Sequence, residues 1–270
     1  MRTWLNGVEN AQLSPHDRGL QYGDGVFETM RLINGSPDRW AAHLARLQLG
    51  CQRLKINLSA AVLRQQLEMI LGQVSSGVLK LIVTRGVSER GYKINTTKPA
   101  TIIWMYSEAV EYPAHFYTTG IDMHLCKTQV SRNPSLAGIK HLNRLENVLA
   151  RQEWQDEYQE GLMCDEFGNI IEGTMSNFFA FKKNILITPD LNQCGVLGVM
   201  RQYILDNAEE HNIRTEVRNI KVTELVEIDA AMISNSLIGV WPVRSIAGRE
   251  YAINAHCLQM VERVCAGKNN

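Results

Sequence analysis

Apolar and polar residues alternate from Val26 to Ile33 with the two-residue period of a strand, and the run stops at Asn34-Gly35, a hairpin-turn signal. The period then lengthens. Trp40, Leu44, Leu47, Cys51 and Leu54 recur every three or four positions and predict an amphipathic helix over 40–54. Ser59 caps a second helix carrying Leu63, Leu67, Ile70, Leu71 and Val74. Strands are predicted from Gly77 through Leu79, Leu81 and Val83, and again from Ala100 through Thr-Ile-Ile-Trp-Met-Tyr. The stretch around Ser107–Pro113 reads as a crossing between two units. The expected domains are therefore 1–107, a connection over 108–116, and 117–270.

Beyond the crossing, a strand near Ile121–Cys126 precedes a helix predicted from about His141 to Trp154. A hairpin over Leu162–Ile171 turns at Glu166-Phe-Gly168-Asn, and further strands fall near 176–188, 213–219, 229–235 and 240–246. Helices are predicted from Gly198 to about Glu210 and over 254–266. No internal repeat or low-complexity stretch interrupts this mixed α and β chain.

Composition narrows the classes. Lys plus Arg equals Asp plus Glu at 28 each in 270 residues, which argues against a general nucleic-acid binder and leaves room for a local basic pocket. No run approaches the eighteen or so apolar residues of a membrane helix, and the N-terminus has no apolar signal core. The cysteines at 51, 126, 164, 194, 257 and 265 form no C-x-x-C pair and no zinc-like cluster with histidine. They read as free thiols in a reducing cytoplasm, with no metal expected.

Three features point to chemistry. Lys140 stands in Ser135-Leu-Ala-Gly-Ile-Lys140-His, after small residues, where its amine could enter a cleft; Arg144 nearby could help keep that amine available near neutral pH. An isolated lysine at a helix start is ordinarily solvated, and only context raises this one. Glu172 lies in an apolar strand, Asn169-Ile-Ile-Glu172-Gly, where a carboxylate is costly without a partner. Gly195-Val-Leu-Gly198-Val-Met-Arg201 opens a helix, so the amides of Val199 and Met200 could face an anion. An imine-forming lysine, an acid for a pyridine nitrogen and a phosphate cradle are what pyridoxal phosphate requires.

Supporting candidates are weaker taken singly. Arg46, on the first long helix, could add a phosphate contact, and Ser234-Asn-Ser236 offers hydroxyls at a strand end. The glycine-punctuated run Asp17–Arg31 could bring Glu28 and Thr29 to a cleft wall. Arg85-Gly86 and Arg90-Gly91-Tyr92 form a basic loop suited to a substrate carboxylate, or simply a solvated one.

These motifs together resemble the fold-type IV pyridoxal-phosphate enzymes, which include branched-chain and D-amino acid aminotransferases and aminodeoxychorismate lyases. The likeness rests on Asp17-Arg-Gly…Tyr22-Gly-Asp-Gly-Val-Phe-Glu-Thr29, His43-Leu-Ala-Arg46-Leu, Glu172-Gly-Thr-Met-Ser-Asn-Phe-Phe and Gly195–Arg201. Within the group, Asn133–Ala150 and Arg85-Gly…Arg90-Gly-Tyr92 are most similar to the lyases. The resemblance implies an α/β fold of two domains, a smaller N-terminal one and a larger, β-barrel-like C-terminal one with helices. It further implies a homodimer, Lys140 as the Schiff-base residue and Glu172 at the pyridine nitrogen. Arg46 and the amides of Val199 and Met200 would hold the phosphate, and Thr29 would assist the lyase chemistry; beside these, the residues themselves offer Ser236 as a further cofactor contact and Arg90 and Tyr92 as contacts to substrate carboxylates. The substrate so implied is 4-amino-4-deoxychorismate. Glu28 departs from lyases that carry a second threonine there and is common in aminotransferases, so transamination stands as the alternative activity.

Overall fold

The computed structural model describes residues 1–266, with side chains described through Val264. The chain clusters into two compact units: Met1–Glu111 with Ile139–Asn143, and Tyr112–Gly138 with Arg144 onward. Lys140 therefore packs with the first unit, within a five-residue segment whose flanking chain on both sides packs with the second.

The first unit contains β1 (Arg2–Leu5), β2 (Val8–Glu9), α1 (Arg18–Tyr22), β3 (Gly25–Ile33), β4 (Ser36–Pro37), α2 (Trp40–Leu54), α3 (Ala60–Leu71), β5 (Gly77–Thr84) and β6 (Thr101–Ser107). Its six strands form one antiparallel sheet in the order β2-β1-β6-β5-β3-β4. Alternation decides the faces. Val26, Met30 and Leu32 of β3, Leu79, Leu81 and Val83 of β5 and Trp104 of β6 are buried in one cluster with Leu47 and Cys51 of α2 and Leu63, Leu67 and Ile70 of α3. Gly50 lets α2 approach β3 closely, since a Cβ there would lie 2.8 Å from Val26 Cγ1. The tight turn expected at Asn34-Gly35 is present, with φ of 50° and 76°.

The second unit contains α4 (His115–Thr118), β7 (Ile121–Leu125), α5 (Leu145–Arg151), β8 (Glu160–Cys164), β9 (Ile170–Gly173), β10 (Asn177–Lys182), β11 (Ile185–Thr188), α6 (Val199–Glu210), β12 (Thr215–Val217), β13 (Ala230–Asn235), β14 (Gly239–Ile246), β15 (Arg249–Glu250) and α7 (Ala255–Ala266). Nine strands join in a mixed sheet, ordered β12-β11-β10-β13-β14-β7-β8-β9 with β15 on β14. Strands β10 and β13 are buried along nearly their whole length, because both faces are covered. One face carries Phe178, Ile233 and Trp241 with Ile121 and Leu162; the other carries Phe179, Phe181 and Met232 with Met200 and Ile204 of α6 and Cys257 and Met260 of α7. This explains why the sequence there reads as continuous apolar runs and not as alternation.

The helix predicted from His141 to Trp154 is shorter. Only Leu145–Arg151 is helical, because His141 and Leu142 are engaged as an extended segment beside β3. Just past α5, Glu153 accepts the N–H groups of Lys127 and Thr128, each at 2.7 Å, and meets His124 Nε2 at 3.1 Å. Burial alone would raise its pKa, but these bonds prevail and hold it at about 2 against an ordinary 4.5. A carboxyl depressed in the folded state stabilises fully above the unfolded value and loses that contribution as pH falls through the folded one. Glu153→Gln is therefore expected to lower Tm at about pH 6, with the gap to wild type closing between pH 4.5 and 2. A gap undiminished at the acid end, measured by calorimetry, would contradict this assignment.

Candidate active site

In the first unit, β4 covers only the Leu32–Ile33 end of β3, so the edge of β3 around Gly25–Phe27 is open to another segment. The run Lys140–Leu142 takes it. Phe27 N donates to Lys140 O at 2.9 Å, Leu142 N donates to Gly25 O at 3.0 Å, and His141 bridges to Val26. Lys140 is half-buried, with Nζ 4.5 Å from the centroid of the Phe27 ring. Lys80 reaches the same ring at 5.4 Å, a second cation that the sequence reading did not single out. Thr29 shares Phe27's face of β3 and pairs with Lys80 across the sheet.

Glu28 points the other way. It was expected beside Thr29 at a cleft wall, but successive strand residues face opposite sides, and Glu28 lies on the helix-covered face at 1% exposure. There His43 Nδ1 lies 2.6 Å from its Oε2 and Arg46 Nε donates to its Oε1 at 2.8 Å, while Arg46 Nη2 also meets Oε2. Burial by itself would push the Glu28 carboxyl up. The hydrogen bonds and charges of Arg46 and His43 outweigh that and hold it below the usual carboxylate value.

The basic loop divides into committed and exposed cations. Arg85 is buried, forks onto Asp24 at 2.7 and 2.8 Å, and donates to the carbonyls of Leu54 and Lys55 at the end of α2. Arg18 meets the same Asp24 at 2.8 Å and donates to Gly91 O at 2.7 Å. Arg85 thus closes a helix and does not belong with the carboxylate-seeking residues. Arg90 and Tyr92 are exposed, and the Tyr92 ring packs 5.4 Å from that of Tyr22.

In the second unit, Glu172 sits in β9 at 5% exposure, and its Oε2 accepts Val196 N–H at 2.9 Å. The acid and the entry to α6 are thus joined by a direct hydrogen bond. The loop is further tied to the chain leading toward Lys140, since Gly138 N donates to Gly195 O at 2.9 Å and Leu197 N to Gly138 O at 3.1 Å. Gly198 caps α6 without a side-chain bond, so the amides of Val199 and Met200 at the helix start take no cap from that residue. Space requires glycine there: a Cβ would fall 1.9 Å from Asn177 Oδ1, while Asn177 Nδ2 holds Val196 O at 2.9 Å. Opposite Asn177 in the β10–β13 pair, Ser234 is fully buried and its hydroxyl has no protein partner. A buried hydroxyl and an uncapped helix start are what an anion would satisfy. Ser236 lies in the turn between β13 and β14, which Asn235 Oδ1 braces through the amides of Leu237 and Ile238.

Sequence reasoning also passed over Glu160. Its carboxylate, 1% exposed, accepts the N–H groups of Gly161, Thr174 and Met175 and the hydroxyls of Thr174 and Ser176. It moulds the turn that follows Glu172. The signal was available in the paired hydroxyls of Thr174 and Ser176, which flag a nearby acceptor. Cysteine chemistry has no place here: all five cysteines with described side chains are free and buried, and burial raises Cys51, Cys126, Cys194 and Cys257 to about 12 and Cys164 to about 11. Cys265 lies outside the described side chains. Among the described residues, no group of His, Cys, Asp and Glu is arranged to hold a metal, and no helix is long and apolar enough to cross a membrane.

Comparison with known proteins places this architecture. The model of the amino-transferase class IV family matches residues 25–246, and the chain belongs to that family. Over 98% of this chain and 99% of the relative, it is 32% identical to the aminodeoxychorismate lyase of Vibrio harveyi. It is 30% identical to the D-alanine aminotransferase of Bacillus licheniformis over 86% of this chain and 82% of that one. Among solved structures, 4-amino-4-deoxychorismate lyase from Pseudomonas aeruginosa superposes with a TM-score of 0.95 at 40% identity, covering 98% of both chains. Branched-chain amino acid aminotransferase from Escherichia coli has the same fold, with a TM-score of 0.86 at 21% identity over all of this chain and 95% of the other.

Proposed function

We propose that this enzyme is a pyridoxal-phosphate-dependent lyase that converts 4-amino-4-deoxychorismate to 4-aminobenzoate and pyruvate. The observation that carries the reading is the full-length likeness to the Pseudomonas aeruginosa lyase at 40% identity. The residues present fit the cofactor: a half-buried lysine, a buried carboxylate, a helix start with no side-chain cap, and the orphaned hydroxyl of Ser234, opposite Asn177 in the sheet. When bound, pyridoxal phosphate supplies a ring that withdraws electrons from the carbon bearing the substrate's amine.

We assign Lys140 as the covalent anchor, whose amine then takes the proton from that ring carbon. Glu172, as a carboxylate, keeps a proton on the pyridine nitrogen. Arg46, Ser236 and the amides of Val199 and Met200 hold the phosphate. Breakage of the neighbouring carbon–oxygen bond aromatises the substrate ring and frees enolpyruvate, which Lys140 or the Thr29 hydroxyl protonates to pyruvate. Arg90 and Tyr92, exposed on their loop, are assigned to substrate carboxylates. On this reading the enzyme works in the cytoplasm, in keeping with its cysteine usage, and as a homodimer.

The test is a product assay on the purified holoenzyme supplied with 4-amino-4-deoxychorismate. Equal appearance of 4-aminobenzoate and pyruvate is expected. The likeness to D-alanine aminotransferase, at 30% identity, motivates a parallel assay with D-alanine or a branched-chain amino acid plus 2-oxoglutarate. Amino transfer without release of 4-aminobenzoate would replace the lyase by the transferase.

A further inference from the structure

We propose that Glu28, braced by His43, is a positioning residue that sets the Arg46 guanidinium for the phosphate of the cofactor; this rests on the cofactor assignment above. The placement of Glu28 is the first reason. It occupies a core position of β3, between Val26 and Met30 and on the side covered by α2, where an apolar residue would pack without penalty. A buried ion pair at such a position is commonly no more stabilising than well-packed apolar side chains. Stability alone therefore does not account for it.

The second reason is geometry. His43 and Arg46 stand three residues apart on α2 and so present one helix face to the same carboxylate. Arg46 engages both Glu28 oxygens, Nε with Oε1 at 2.8 Å and Nη2 with Oε2, and a two-point fork fixes the plane of the guanidinium and not merely its location. His43 Nδ1, 2.6 Å from Oε2, prevents the carboxylate from turning about its own bond. The fork uses Nε and Nη2, so Nη1 is the nitrogen directed away from Glu28.

Accessibility ranks the three groups in the same sense. The side chains of Glu28 and His43 are each 1% exposed, whereas that of Arg46 is 10% exposed. The arginine is the member of the triad that reaches the surface of the core, and the other two lie behind it. An arginine alone on a helix would sample many rotamers, and ordering it would be charged against ligand affinity. Glu28 and His43 do that ordering in advance.

The test compares cofactor with and without its phosphate. Full-length apoenzyme, freed of cofactor, is titrated with pyridoxal phosphate and with pyridoxal, binding being read from the visible absorption band and from borohydride fixation on Lys140. Glu28→Gln keeps the shape but loses one acceptor oxygen and the charge. It is expected to weaken pyridoxal phosphate about tenfold to a hundredfold, the range of one or two charge-assisted hydrogen bonds, while pyridoxal affinity stays within about twofold. Inorganic phosphate is expected to compete with pyridoxal phosphate for wild type and to compete less well for the variant. His43→Asn, a milder change should Glu28→Gln fold poorly, is expected to give the same selective loss at smaller size. In an Arg46→Lys background, which has the charge but not the fork, Glu28→Gln should add nothing. Equal weakening of pyridoxal and pyridoxal phosphate would reduce Glu28 to a structural residue, and unchanged pyridoxal phosphate affinity would dismiss it; either leaves the cofactor assignment standing. Wild type that fixes no cofactor on Lys140 would overturn both.

Discussion

Lys140→Ala is expected to abolish the borohydride-fixed adduct and to lower turnover by about four orders of magnitude or more. One side chain is asked to anchor the cofactor and to move the proton, and loss of a positioned general base alone costs about 10²- to 10⁴-fold. The backbone around Lys140 should not change, since its carbonyl bond to Phe27 N and the neighbouring bond from Leu142 N to Gly25 O do not involve the side chain. The fold is therefore expected to persist with a Tm close to wild type, separating loss of chemistry from loss of structure. Lys80, 5.4 Å from the same phenyl ring, provides the control: in Lys80→Ala the adduct should still map to Lys140 by peptide mass spectrometry. An adduct retained in Lys140→Ala, or one that maps to Lys80 in wild type, would withdraw Lys140 from its role.

For Glu172 the informative replacement is glutamine. Its side-chain carbonyl can still accept the Val196 N–H now bonded at 2.9 Å, so the loop entering α6 keeps its tie while the negative charge is lost. Turnover is expected to fall about 10²- to 10³-fold, as for removal of one preorganised electrostatic partner, with pyridoxal phosphate affinity changed less than about fivefold. Glu172→Ala should do more damage of another kind. It strips the acceptor from a buried amide, a cost of about 1–3 kcal/mol in stability, and so should lower Tm as well as turnover. Steady-state kinetics and thermal melts on the two variants separate charge from structure; undiminished turnover in Glu172→Gln would show that the carboxylate does not serve the pyridine.

Much of the fold was legible because its periods are clean. The helix read over 40–54 and the strand from Val26 to Ile33 needed only spacing, and the caps at Ser59 and the Asn34-Gly35 turn needed only local chemistry. The error at His141 had a different origin. Leu145 and Leu149 have helical spacing, but His141 and Leu142 before them are held beside β3, more than a hundred positions away, and no local pattern encodes that pairing. Arg85 misled for a similar reason, since its partners Asp24, Leu54 and Lys55 lie far off in sequence. Glu28 was the instructive case. Strand alternation already placed it opposite Thr29, and the three-residue spacing of His43 and Arg46 already put two bases on one helix face. What sequence could not supply was the register of helix on strand that brings the two together.

The course of the backbone has a consequence for how this protein can be divided. The chain leaves the first unit after Glu111, returns for only Ile139–Asn143, and leaves again. A single cut at the first crossing would not release a self-sufficient N-terminal half. Such a fragment would lack the segment that completes the open edge of β3, leaving the amide of Phe27 and the carbonyl of Gly25 without their partners, and it would carry no Lys140. Recombination between relatives faces the same constraint: a crossover near residue 111 combines one parent's β3 with the other parent's lysine segment. The five residues from 139 to 143 are inherited with one half of the gene and must match the other.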